Sequence, residues 1–118
     1  MSTPEGAVLK QIMDWLAAEH LLSFRMNTGA VQSEHKGKKR FMRFGVPGMA
    51  DILAFSSRDG ECECQEYNRL IREVVWIEVK APKGKQSELQ KSFQAQVEAE
   101  GHKYILAYDV SDVEAALK

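Results

Sequence analysis

The sequence predicts an α/β domain, and three stretches carry that reading. Val74 to Lys80 is a run of β-branched and aromatic residues, apolar on both faces for most of its length, the pattern of a strand covered on both sides. Ser87-Glu88-Leu89-Gln90 then has the form of a capping box, with Ser at the N-cap and Gln three residues on. It opens a helix whose stripe is Leu89, Phe93 and Val97, with Gly101 as its stop signal. Lys103 to Tyr108 follows, apolar on both faces, and reads as another interior strand.

The remaining elements extend this strand–helix–strand unit at both ends. Thr3-Pro4-Glu5 is a helix start, a Thr N-cap followed by Pro at the first helical position and an acid in the first turn. The stripe Val8, Leu9, Ile12, Leu16, with Trp15 at its edge, faces the core and ends near His20. Phe24 to Gly29 is a short strand, Gln32 to Lys39 a loop, and Arg40 to Phe44 a strand pairing back on the first, a hairpin with a basic tip. Gly45-Val46-Pro47-Gly48 is turn chemistry leading into the strand Met49 to Phe55. Ser56 to Arg72, charged and without a period, reads as a long connection that could extend the hairpin. Ser111 caps a last helix carrying Val113, Ala116 and Leu117. The expected order is helix, two or three strands, the 74–80 strand, helix, strand, helix.

A length of 118 residues suits one domain with one core. With 44% hydrophobic and 28% charged residues, the composition is that of a soluble globular chain rather than a disordered one. No apolar run approaches the ~20 residues of a membrane span, and Met1 to Lys10 lacks the pattern of a secretory signal. Cys62 and Cys64 are too close for a disulfide framework, and His35 and His102 do not supply zinc-ligand spacing. A reduced cytoplasmic protein without membrane partners is the expectation. The net charge of −1 excludes a broadly basic nucleic-acid binder, but the charges are segregated. Lys36, Lys38, Lys39, Arg40 and Arg43 form one basic group, and Lys80, Lys83, Lys85 and Lys91 a second. Either they make one positive surface, or they are solvated loops.

The chemistry-bearing residues lie at element ends. Glu78 and Lys80 share one face of their strand, about 6.6 Å apart along it. Asp51 starts the face that carries Leu53 and Phe55; if the two strands are antiparallel neighbours, Asp51 and Glu78 meet at one edge of the sheet. Glu5 lies on the core-facing stripe of the first helix. Each has a bland reading, an exposed ion pair or a helix-dipole partner. Together, three carboxylates would repel one another, and a hard divalent cation, Mg²⁺ or Mn²⁺, relieves that repulsion. Such a site suits in-line displacement at phosphorus, with Lys80 positioning a water or offsetting negative charge.

The pattern Gly48-Met49-Ala50-Asp51, a spacing, then Glu78-Val79-Lys80 resembles the PD-(D/E)xK nuclease superfamily. With Glu5 on the first helix, and with Lys83-Gly84 and Ser87-x-x-Gln90 following, it is more closely similar to the VRR-NUC (virus-type replication-repair nuclease) family over nearly the whole chain. The charged stretch 56–72 does not map onto that pattern. The resemblance implies a restriction-endonuclease-like core, a central mixed sheet flanked by helices in the order α-β-β-β-α-β-α. It implies Mg²⁺- or Mn²⁺-dependent endonucleolytic cleavage of DNA, with Asp51, Glu78 and the main-chain carbonyl of Val79 as metal ligands and Glu5 ligating directly or through water. Lys80 would be the catalytic Lys, and Gln90 would line the site. Lys36, Lys38, Lys39, Arg40, Lys83 and Lys85 become candidate phosphate contacts. Small stand-alone relatives look like Holliday-junction resolvases, so branched DNA, a homodimer and a bacterial or phage-infected cell are expected. The competing class is a non-catalytic nucleic-acid-binding or assembly module on the same fold; a nucleotide phosphohydrolase would want a phosphate-binding glycine loop, which the sequence lacks.

Overall fold

The computed structural model describes residues 4–26, 30–35, 38–43, 48–61 and 68–117, with backbone alone for the portions of 30–43 and 58–72 among them. The element order is α1 (Pro4–Ala18), β1 (Ser23–Arg25), β2 (Ala30–His35), β3 (Lys38–Arg43), β4 (Ile52–Glu61), β5 (Asn68–Val79), α2 (Glu88–Ala99), β6 (Lys103–Ala107) and α3 (Val110–Leu117). The protein is a small α/β fold. A four-stranded mixed sheet has the order β1-β4-β5-β6, and β2 and β3 form a separate two-stranded sheet. Among the described residues the order is α-β-β-β-β-β-α-β-α, two strands more than the expected α-β-β-β-α-β-α, because β2 and β3 form a sheet of their own. Among the described residues no helix is long and apolar enough to cross a membrane.

β4 and β5 are antiparallel, and β5 and β6 are parallel. One sheet face carries Ile52, Ala54, Val75, Ile77, Val79, Ile105 and Ala107, which join Ile12 and Leu16 of α1 and Val113 of α3 in the buried core. The stripe read from the α1 sequence is therefore the one buried, because an i, i+4 pair puts Ile12 and Leu16 on one helix side. The opposite face is covered by α2 across β5 and β6. There Trp76 meets Phe93 edge-to-face at 5.1 Å, and Phe93 meets Tyr104 at 6.4 Å. Both tryptophans serve packing: Trp76 in this cluster and Trp15 against the core.

Several sequence expectations need correction. Phe24 does not pair with residues 40–44; β1 pairs with β4, Phe24 opposite Leu53. Residues 32–39 are not a single loop, because β2 and β3 pair from Ala30↔Arg43 to His35↔Lys38. Polar alternation hid those strands, since a separate two-stranded sheet needs no apolar run. The stretch 56–72 is mostly strand: β4 and β5 stay in register out to Glu61↔Asn68. Cys62 and Cys64, and the turn residues Gly45 to Pro47, lie outside the described residues. β6 is an edge strand rather than interior; its two apolar faces are explained by α2 on one side and α3 on the other. Leu89 is 58% exposed and does not join the α2 stripe. The last helix starts one residue before Ser111. Asp109 caps it, its carboxylate accepting from the Asp112 N–H at 3.2 Å, while the Asp112 carboxylate accepts from the Tyr108 and Asp109 N–H groups.

Candidate functional site

The antiparallel register sets the site. Ile52 lies opposite Ile77, so the next pair outward is Asp51 and Glu78, as the face alternation of the two strands anticipates. Asp51 Oδ2 accepts a hydrogen bond from the Val79 N–H at 2.8 Å, where a further ladder bond would otherwise form. A strand residue's N–H and C=O point to the same side, so the Val79 carbonyl lies on the Asp51 side of β5.

Glu78 is 2% exposed, although its strand ends one residue later. Its Oε1 accepts from Gln90 Nε2 at 2.8 Å and lies 3.8 Å from Lys80 Nζ. Its Oε2 is buried without a hydrogen-bond partner. A buried, unpartnered carboxylate oxygen is costly in a folded protein. Burial, followed by the negative charge of Asp51, pushes the Glu78 carboxyl up to about 8. Lys80 opposes the rise, and the charge of Glu5 adds to it.

Gln90 comes from α2, and its amide does two jobs. Its Oε1 accepts from the Ser87 N–H at 2.9 Å while Ser87 Oγ accepts from the Gln90 N–H at 3.2 Å, completing the capping box; its Nε2 donates to Glu78. One side chain thus both caps α2 and contacts Glu78.

Gly48 fits the turn before β4 against that helix start. Its φ is +86°, and a Cβ there would lie 2.5 Å from the Leu89 carbonyl carbon and oxygen and 2.9 Å from the Gln90 nitrogen. Only glycine lets the Asp51 turn approach the first turn of α2 this closely.

Glu5 acts on the site through its charge on Glu78. Among the described residues, no group of three or more His, Cys, Asp or Glu side chains is placed to hold a metal ion. The expected three-acid cluster is therefore not assembled. Asp51 and Glu78 are brought together, with Lys80 and Gln90 beside them. The donor set nevertheless fits a hard divalent cation: two carboxylates, one with an unpartnered buried oxygen, and a main-chain carbonyl on the same side, all oxygen.

The cationic residues divide. Lys83 and Lys85 are exposed on the loop that leaves β5, and Lys83 has a φ of 68°, a left-handed backbone uncommon for a side-chain-bearing residue. Lys36 lies outside the described residues. Lys38, Lys39 and Arg40 lie on β3, described by backbone only.

The sequence reading did not find the tether of the 80–87 loop. Gln86 Nε2 donates to Gln94 Oε1 at 2.9 Å and to the Tyr104 hydroxyl at 3.2 Å. The Tyr108 hydroxyl donates to the Gly84 carbonyl at 3.1 Å. Burial pushes the Tyr104 hydroxyl up to about 12, so it stays protonated at neutral pH. The one sequence signal was Gln94, a turn after Gln90 on the same flank.

Comparison of the chain with family models, with curated proteins and with solved structures finds no match. The chemistry of the site therefore rests on its own residues.

Proposed function

We propose that this protein is a divalent-metal-dependent DNA endonuclease that hydrolyses phosphodiester bonds in branched DNA, with a restriction-endonuclease-like core and a VRR-NUC-like site. One observation carries the reading: the Glu78 carboxylate, buried and unpartnered at Oε2, facing Asp51 with Lys80 within 3.8 Å. A merely structural acid in that position would be expected to have its oxygens satisfied.

Asp51, Glu78 and the Val79 carbonyl are the residues that would hold Mg²⁺ or Mn²⁺, and Glu5 would act at longer range or through water. When bound, the cation would lower the pKa of a water and stabilise charge on the scissile phosphate. Gln90 holds the Glu78 carboxylate in one orientation from the opposite layer, so its second oxygen stays available. Lys80 offsets the paired acids and can orient a water by hydrogen bonding; its ammonium also stabilises negative charge as the phosphate becomes pentacovalent. Lys83 and Lys85 are suited to contact phosphates without reading sequence. A resolvase-like reaction on a four-way junction calls for two such sites, hence a homodimer.

The test is cleavage of a labelled panel, a four-way junction, a 5′ flap and linear duplex, with Mg²⁺, Mn²⁺ or EDTA. Paired junction nicks abolished by EDTA and by Lys80→Ala support the proposal. Metal-independent binding without cutting by the folded wild type would instead leave a non-catalytic nucleic-acid module on this fold.

A further inference from the structure

On the sheet face that holds Asp51 and Glu78, α2 covers only the β5–β6 half. The β1–β4 half bears Phe24 and Phe55, 49% and 40% exposed, packed edge-to-face with ring centroids 6.5 Å apart. Phe24 lies opposite Leu53, and Phe55 is two residues beyond Leu53. Asp51, Leu53 and Phe55 thus alternate along one face, with Phe24, beside Leu53, about 7 Å and Phe55 about 13 Å along β4 from Asp51. Beside Phe55 the sheet opens into a hollow of about 320 Å³, lined also by Ser56, Ser57, Glu73, Val74 and His102. The hollow exists because β6 begins opposite Val75 and leaves Val74 with no strand partner on that side. The Val74 N–H instead donates to His102 Nδ1 at 3.4 Å, leaving the Nε2 side of the ring for another contact.

We propose that the Phe24–Phe55 surface and its hollow bind an unpaired nucleobase, so that the preferred substrate carries single-stranded DNA on one side of the cut phosphate. The substrate-class part of this proposal rests on the nuclease reading above; the base-binding part does not. Aromatic faces stack any base, which gives affinity without sequence preference. Ser57 and His102 bring hydrogen-bonding groups to the rim for base edges. A bound duplex keeps its bases stacked inside and has no use for a ring platform, whereas a flap or a single-stranded arm does.

The experiment photocrosslinks a single-stranded oligonucleotide containing 5-iododeoxyuridine to the full chain in EDTA, with mass-spectrometric mapping of the adduct. Cleavage of a 5′ flap, the same oligonucleotide and a blunt duplex in Mg²⁺ is measured in parallel. Adducts at Phe24, Phe55 or His102, reduced at least several-fold in a Phe24→Leu/Phe55→Leu variant that melts like wild type, support the proposal. That variant is also expected to lose several-fold in cleavage of the flap and little on duplex. Adducts elsewhere, or none, overturn base binding here even if every substrate is cut in a metal-dependent way. If the adducts form and no substrate is cut, base binding stands and the nuclease reading fails. A change of the variant from dimer to monomer with crosslinking unaltered would make the patch a self-association surface and overturn the proposal.

Discussion

Glu78 is where sequence, fold and chemistry meet in one side chain. It is an acid at the end of an apolar strand, buried by the helix that follows, and held by one oxygen only. Because its carboxyl is raised from 4.5 to about 8 in the folded protein, the folded state binds more protons than the unfolded state between those values. Without metal, the contribution of this group to stability is complete below about pH 4.5 and is lost as pH rises through about 8. Thermal melts in EDTA should therefore fall over that window, by an amount corresponding to a few kcal/mol at most. Glu78→Gln should flatten the fall, and saturating Mg²⁺ should restore stability most at the alkaline end. A melt profile unchanged by Glu78→Gln would contradict this picture. Lys80→Ala removes the cation that opposes the acids, so it should move the fall to higher pH as well as abolish cleavage.

At the scale of elements, the site is a contact between the start of β4, the end of β5 and the first turn of α2. Gly48→Ala should disrupt it from outside the chemistry. The new methyl meets the backbone of Leu89, and the left-handed φ adds strain, together on the order of 2 kcal/mol or more. Differential scanning calorimetry and cleavage rates should fall together. Gln90→Glu separates the two jobs of that side chain. It keeps the carbonyl oxygen that caps α2 but turns a donor toward Glu78 into another acid. Circular dichroism should report little loss of helix while activity drops at least tenfold; Gln90→Ala should lose both. Much of this was legible in the sequence: the capping box, the glycine before the Asp51 strand, and the Glu78-x-Lys80 alternation fixed each residue's element and face. The closeness of Gln90 to Glu78 was not, because the side chain had a sufficient local explanation as a cap. Nor was the aromatic surface, since Phe24 and Phe55 are far apart in sequence and each looks like an ordinary core residue until β1 is known to pair with β4.

The whole molecule is a sheet with unequal cover. Among the described residues, α1 and α3 bury one face from Ile52 and Ala54 to Ile105 and Ala107, and α2 covers the β5–β6 half of the other, leaving the Asp51–Glu78 end beside an open aromatic surface. The closed face supplies the stability that lets the other tolerate an unsatisfied acid. Ile77→Ala, in the centre of that core, should cost about 2–5 kcal/mol, roughly 10 °C or more in melting temperature for a chain of this size, without changing which metal supports cleavage. Thermal denaturation of the variant checks both the magnitude and the placement of the core. Here the sequence was informative for the central strands, whose apolar runs are long, and uninformative for the outer halves of β4 and β5. There charged residues sit in a two-stranded extension that needs no buried face, so composition alone reads as loop.

In the proposed mechanism Asp51 and Glu78 together receive a cation. Calorimetric titration of the DNA-free protein with Mn²⁺ at neutral pH, beside Asp51→Asn and Glu78→Gln, tests it most directly. Saturable binding with proton release, weakened at least tenfold in both variants while their folds persist, is the predicted result. Binding that is absent, or equal in all three proteins, would contradict the assignment of this carboxylate pair as a metal site.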